Sequence, residues 1–216
     1  MSMTTSEKTK CPKCGAEIEF TLWQSLNATL DPDEARKLRR CEFGLVVCPK
    51  CGETTLMLYP ILYHDMAAHA MVRFLPGASR EQLAEGIKED QKQIQQMQSM
   101  FNMPKTRLRA VSTYGDLCEK ARIFHHKLDD RTIEVMKALM LTGFQQDHPD
   151  FRAEDVRLES DDEEKMLEFV FYNDENEAIA DLEFTREMYE EMHQMLKQHK
   201  DDDALIDRVW AIRFLG

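Results

Sequence analysis

Glycine is scarce in this chain, at eight of 216 residues. No glycine-rich phosphate loop can be traced, and G-x-S-x-G and H-E-x-x-H are both missing. Nucleotide cradling, serine hydrolysis and zinc-protease chemistry therefore have no motif to rest on. Long apolar runs are missing too. Stretches such as LMLYPILY at 56–63 fall far short of the ~20 residues a membrane-spanning helix needs. The opening MSMTTSEKTKCPKCG lacks the apolar core of a signal peptide. The expectation is a cytoplasmic protein with no membrane partner. Thiols stay reduced there, so the six cysteines are not expected to form a disulfide framework.

Positive charge is in short supply, and unevenly so. The net charge is −12. Residues 1–60 balance eight acids against eight bases, whereas residues 154–203 carry 19 acids against five bases. The acidity thus sits in the last third. Such a field repels nucleic acid, whose binding rests on Lys and Arg at phosphates, and it steers basic proteins inward. A protein partner is expected, a basic one being the kind this field would attract. The plainer alternative is a solvated face that favours solubility.

Against this background one pentapeptide stands out. CPKCG occupies residues 11–15 and recurs at 48–52, giving C-x2-C-x33-C-x2-C through Cys11, Cys14, Cys48 and Cys51. Two residues between cysteines let both sulfurs reach one ion. Proline stiffens the turn, and the following glycine admits the positive φ such a knuckle needs. Two knuckles supply the four thiolates of a closed tetrahedral Zn2+ site, with the wide spacing suiting a zinc ribbon split by an insertion. With every position filled by sulfur, the ion is expected to be structural, since catalytic zinc keeps a place for water. Two alternatives stand beside this one. Four ordinary buried thiols have no reason to arrive in paired Pro/Gly turns. A redox-active CxxC normally opens a helix, whereas strand-like AEIEFTLW and ETTLMLYPILY follow the two copies here. Cys41 and Cys118 read as ordinary thiols, although Cys41 is near enough in sequence to compete for the site.

Periodicity predicts an α+β fold: a zinc-ribbon-like knuckle pair extended into an antiparallel sheet, then helices, then an antiparallel meander with a helix. The expected divisions are 1–78, 79–150 and 151–216. LDPDEARKLRR reads as a helix capped by Asp31 with Pro32 at its first position. Strands are expected at 42–47, 53–63 and 69–75. Ser79 and Gln82 form a capping box for a helix running to Phe101, whose Leu83, Ile87, Ile94, Met97 and Phe101 follow a near 3.5-residue repeat. That repeat allows a helix-pairing seam, but Asp90 interrupts it. TRLRAVS reads as a strand, followed by a helical hairpin with Leu117, Ala121, Phe124 and Leu128 on one face and Ile133, Met136, Met140 and Phe144 on the other. Three alternating segments over 155–184 predict the meander, joined by turns at SDDEEK and NDEN. A helix bearing Met188, Met192, Met195 and His199 on one side follows, ended by the acids at 201–203. VWAIRFL at 209–215 is expected as a last strand. Most of the fourteen methionines are expected in the core.

The two CPKCG units, YPILYHD and the stretch LCEKARIFHHKLDDRTIEVMK resemble the CpXC family of bacterial and archaeal proteins, defined by two C-P-x-C units. The resemblance covers roughly residues 8–145. It implies a bacterial, cytosolic, zinc-binding protein whose ligands are Cys11, Cys14, Cys48 and Cys51, and it offers no reaction.

Other candidate chemistry is thinner. His64, Asp65 and His69 form H-D-x-x-x-H, a spacing that does not share one helical face, so ordinary polar residues at a strand end are expected. His125 and His126 point different ways on a helix beside Asp129 and Asp130, where a helix cap with an ion pair to Arg131 is the expectation. The leading reading is a non-catalytic zinc protein that works through protein contacts, with Glu163–Glu164 and Asp201–Asp203 among its acidic surface. A thiol–disulfide oxidoreductase or redox sensor using one CPKCG is the second. A nucleic-acid-binding ribbon using Lys8, Lys10, Lys13, Arg36, Lys37, Arg39 and Arg40 is the third, opposed by the net charge.

Overall fold

The computed structural model describes residues 2–101, 104–159, 166–199 and 203–216. Glu163, Glu164, Asp201, Asp202 and the SDDEEK turn lie outside the described residues. The chain divides into two compact units, Met1–Ala121 and Arg122–Gly216, and the fold is α+β.

The first unit begins with a strand that hydropathy does not announce. β1 (Met3–Lys10) is polar and almost wholly exposed, and it pairs antiparallel with β2 (Glu17–Asn27). Asn27 ends β2 by accepting the amides of Thr29 and Leu30 on its side-chain oxygen, at 3.0 and 3.3 Å. α1 (Pro32–Arg39) follows, burying Ala35 and Leu38. Asp31 stands at its cap position without a side-chain capping bond, because its carboxylate accepts the Ser2 hydroxyl instead. A short hairpin, β3 (Leu45–Val47) with β4 (Thr54–Leu56), carries the second CPKCG. β5 (Ile61–Asp65) and β6 (Ala70–Phe74) alternate buried and half-buried residues, placing Ile61, Tyr63, Val72 and Phe74 in the core.

The main sheet runs β1-β2-β5-β6-β7, the last strand being β7 (Arg107–Val111). It is mixed where sequence reading expects antiparallel pairing: β2 lies parallel to β5, and β6 parallel to β7. The crossovers explain this. α1 and the knuckle hairpin separate β2 from β5, and two helices separate β6 from β7, and segments of that length return the chain in the same direction.

The first of those two helices, α2 (Arg80–Gly86), opens on the complete Ser79–Gln82 capping box. It yields at Ile87 to α3 (Lys88–Phe101), so one expected helix is two. Leu83 and Ile87 are buried, but Met97 is exposed. Asp90 is no flaw in a seam. Its carboxylate takes both Nε and Nη2 of Arg73, at 2.7 and 2.5 Å, and ties α3 to β6. α4 (Tyr114–His125) starts with Thr113 as cap, its hydroxyl accepting the Asp116 amide at 3.1 Å.

The second unit is a three-stranded antiparallel sheet, ordered β10-β9-β8, with helices against it. β8 (Asp155–Leu158) and β9 (Met166–Tyr172) bury Val156, Leu158, Leu167, Phe169 and Phe171, as alternation predicts. β10 (Ala178–Thr185) is an edge strand with Leu182 exposed. α5 (Asp130–Asp147) packs on β8 and on α6 (Arg186–Leu196) and α7 (Arg208–Leu215). α7 replaces the strand expected over 209–215. Asp207 caps it, accepting the Trp210 amide at 2.8 Å, and Trp210, Ala211 and Phe214 return on one helical face against Val135, Ala138 and Ile206. Aromatic and β-branched letters over seven residues suit either period, and the cap decides.

The methionine expectation is corrected as well. Among the described residues only Met136 and Met140 are buried. On α6 the buried stripe is Tyr189 and Leu196, with Met192 half-buried, while Met188 and Met195 face solvent.

Asp129 caps α5 as expected. It accepts the Arg131 amide at 3.0 Å and pairs with the Arg131 guanidinium at 2.6 Å. Burial pushes its pKa up, but the Arg131 bonds outweigh burial and hold it below the ordinary value of 3.8. A depressed carboxylate pKa stabilises the fold fully above the unfolded value, and that stability is lost as pH falls through the folded one. Asp129→Ala is expected to cost about 1–2 kcal/mol at neutral pH by urea denaturation. The gap to wild type should close on acidification below that range; a constant gap down to strong acid would show that the carboxylate charge plays no part.

Candidate metal centre

Each CPKCG is the turn of a hairpin. Lys10 pairs with Glu17 at the end of the first, and Val47 with Thr54 at the end of the second. The two turns are built alike. In the first, the Cys11 amide donates to the Ala16 carbonyl at 2.8 Å, and the Gly15 amide to the Cys11 carbonyl at 2.9 Å. In the second, the Cys48 amide donates to Glu53 at 2.8 Å, and Gly52 to Cys48 at 2.9 Å. Gly15 and Gly52 hold φ of +69° and +72°, the left-handed conformation that closes each turn. Neither has an atom within 4 Å of an added Cβ, so an alanine there meets backbone strain alone. Gly15→Ala and Gly52→Ala are each expected to weaken the ribbon by about 1–2 kcal/mol. Hydrogen exchange of the hairpin amides reads that loss, and unchanged protection would refute it.

The turns meet tip to tip. The four Sγ atoms of Cys11, Cys14, Cys48 and Cys51 lie within 4.8 Å of one another. Cys11 Sγ is 3.6 Å from Cys51 Sγ, and Cys14 Sγ is 3.7 Å from Cys48 Sγ. These are not disulfides, which need ~2.05 Å. They match the edge of a sulfur tetrahedron: a Zn–S bond of ~2.3 Å gives an S···S edge of ~3.8 Å. The donor set, four soft sulfurs and nothing else, is the one zinc takes in closed sites. Cys11 and Cys48 are buried over Ile18, with Ala16 and Val46 against them, and Cys51 is exposed. Lys13 on one tip pairs with Glu53 on the other at 2.9 Å, a cross-tip link that spacing alone does not reveal.

The thiols do not titrate alike. The Cys51 and Lys50 amides donate toward Cys48 and, with the neighbouring thiols, bring it down to about 6 against the cost of burial. At Cys51 the Glu53 amide pulls downward, but burial and the three neighbouring sulfurs outweigh it and push the thiol up to about 12. Cys48 thus gives up its proton readily, whereas Cys14 and Cys51 hold theirs until a cation compensates the charge.

Neither second cysteine opens a helix: β2 and β4 follow the turns, so the helix-terminus effect that activates redox thiols is missing from both. Cys41 and Cys118 stand outside the quartet. Among the described residues the quartet is the one group of three or more potential ligands brought together. In H-D-x-x-x-H, Asp65 accepts the Ala68 amide at 2.9 Å to close the turn before β6, and His69 holds φ +49° within it. The rings of His125 and His126 meet edge-on at 5.3 Å.

The basic residues of the ribbon are largely spoken for. Lys8 pairs with Glu17, Lys13 with Glu53, Arg36 with Asp33 and Lys37 with Glu34, and Arg39 is buried. No described helix is long and apolar enough to cross a membrane.

Residues 9–137 match the family model described as CpXC protein. No curated protein and no solved structure matches the chain.

Proposed function

The chain belongs to the CpXC family, and from that footing we propose that it is a non-catalytic zinc protein whose metal staples the ribbon and whose acidic last third meets a basic protein. Four sulfurs brought to tetrahedral spacing from two hairpin tips carry the metal half of this reading. Cys11, Cys14, Cys48 and Cys51 hold the ion, leaving no position for a substrate or water. Thiolate ligation needs reduced cysteines, so the protein works in a reducing compartment such as the cytoplasm. The 19 acids against five bases over 154–203 support the partner half.

Native mass spectrometry tests the metal: one zinc per chain is expected, with Cys11, Cys14, Cys48 and Cys51 shielded from alkylation until the metal is stripped, while Cys118 is shielded by burial alone. Exposed Cys51 reacting as fast in a folded sample before chelation as after it would end this reading. A pull-down from the native host, washed at rising salt, tests the partner. Basic proteins released between low and moderate salt are expected; retention of nucleic acid in their place would overturn it.

A further inference from the structure

The second unit holds a feature that an acidic surface alone does not explain. α5, β10 and α6 wall a groove of about 630 Å3. Five methionines line it: Met136 and Met140 from α5, and Met188, Met192 and Met195 from α6. Phe144 forms part of its floor, stacked on Phe171 with ring centroids 4.7 Å apart. Much of this apolar lining faces solvent. Leu139 is 44% exposed, Leu182 43%, Met188 49% and Met195 63%. Gly143 lines the groove with open space where a Cβ would stand.

The charge on the lining has one sign. Asp147, Asp181 and Glu191 stand on it, and neither lysine nor arginine does. An acidic rim around unbranched, polarizable side chains fits one chemistry well: a helix with an apolar stripe and basic flanks. The methionines adapt to the stripe, and the rim steers and orients the flanks. A second copy of this chain brings the same negative charge and is repelled. A small neutral ligand leaves the rim without a role. A strand would need free backbone groups, whereas two of the three walls are helices whose backbone is internally bonded.

We infer that this methionine groove is the docking site for a basic amphipathic helix of a partner protein. The inference rests on the reading of the acidic third as a partner surface, and adds to it the place and the shape recognised.

The probe is a labelled 18-residue peptide of leucine and lysine, with leucine on one helical face. Its controls are a shuffled isomer of the same composition and an analogue with glutamate for lysine. Anisotropy is measured with the full zinc-loaded chain. The helical peptide should bind at least tenfold tighter than the shuffled isomer, and the glutamate analogue should not bind. Gly143→Phe projects a bulky side chain into the groove from a position where a Cβ meets nothing within 4 Å, and replaces glycine with a better helix former. It should fold as well as wild type and weaken binding at least tenfold. Leu182→Lys, at an exposed position, should do the same. Asp147→Asn, Asp181→Asn and Glu191→Gln together should weaken binding and flatten its salt dependence.

Equal binding of the shuffled isomer, or full binding by folded Gly143→Phe, overturns the groove and leaves the acidic-surface reading standing. Equal binding by a proline-containing analogue that cannot form a helix overturns the helical occupant. Binding of the glutamate analogue refutes the charge argument here. No binding by either basic peptide, with basic proteins still captured from the host, removes the groove alone; failure of both removes the two readings together.

Discussion

Replacing Cys48 with serine is expected to abolish zinc retention and to unfold both knuckle hairpins. The reason is how little else holds them. β1 is exposed along nearly its whole length, and β3 and β4 are short and bury no residue. Beneath the sulfurs only Ile18 and two of the cysteines themselves are fully buried. Area of that size contributes a few kcal/mol, while a structural zinc of this kind contributes on the order of 10 kcal/mol at neutral pH. A zinc ion held by the four sulfurs would stabilise this region more than packing does, and an alcohol oxygen does not replace a thiolate as its ligand. Loss of zinc by elemental analysis should accompany loss of hydrogen-exchange protection through residues 3–22 and 45–56, while Ser25–Asn27, paired with β5, stay protected. Excess chelator should reproduce both effects on wild type. Acid should do so as well, because the ligands must be deprotonated and each falls back to its thiol form as pH drops. Cys41→Ser is the control: it lies outside the quartet and should keep one zinc. A folded Cys48→Ser chain that retains one equivalent of zinc would sink the assignment.

Much of this centre is legible from spacing. Paired cysteines at the same offset, with proline and glycine in the same places, encode the turn before any coordinates are known, and both glycines hold the expected positive φ. The partner strand is not legible. MTTSEKTK has no apolar alternation because β1 buries nothing; it exists by backbone pairing to β2 and by the knuckle that turns the chain. Local capping signals read well where the side chain serves the helix, as at Ser79, Thr113 and Asp129. They mislead at Asp31, where Ser2, distant in sequence, claims the carboxylate.

Two other departures from expectation share a cause. Letter type alone makes VWAIRFL a strand and the methionines of α6 core, and burial is decided by neighbours. Asp207 turns the first into a helix. The second helix presents an apolar face wider than its contacts cover, Tyr189 and Leu196 inward and Met188 and Met195 outward. A face of that width, bordered by Glu187, Glu190 and Glu191, is the available sign of a surface with work beyond the core.

Arg122→Ala should cost about 3–5 kcal/mol, the range for removing one partner of a buried ion pair. Arg122 is only 4% exposed at its side chain. It donates from Nη1 to the Leu158 carbonyl at 3.0 Å and from Nη2 to Glu159 at 2.7 Å. Glu159, 23% exposed, also accepts the Tyr172 hydroxyl at 3.1 Å. Burial, then the Glu159 charge, pushes that hydroxyl up to about 12, so it remains a donor throughout the accessible pH range. Across the Tyr172 ring lies Arg157, 4.6 Å from the centroid and paired with Asp155 at 2.7 Å. Alanine at 122 strips Glu159 of its counter-charge and Leu158 of a donor, while the desolvation of both remains. Arg122→Met keeps the volume and not the bonds, and should still lose most of that free energy. Arg122→Met with Glu159→Leu removes both charges, and should recover stability relative to Arg122→Met, since the unpaired carboxylate is what makes the single change expensive. Urea denaturation of wild type, Arg122→Met, Glu159→Leu and the double variant closes a double-mutant cycle, with a coupling of at least about 1 kcal/mol expected between contacting charges. Additive losses would mean that solvent, reaching Glu159 from its exposed side, already screens the pair.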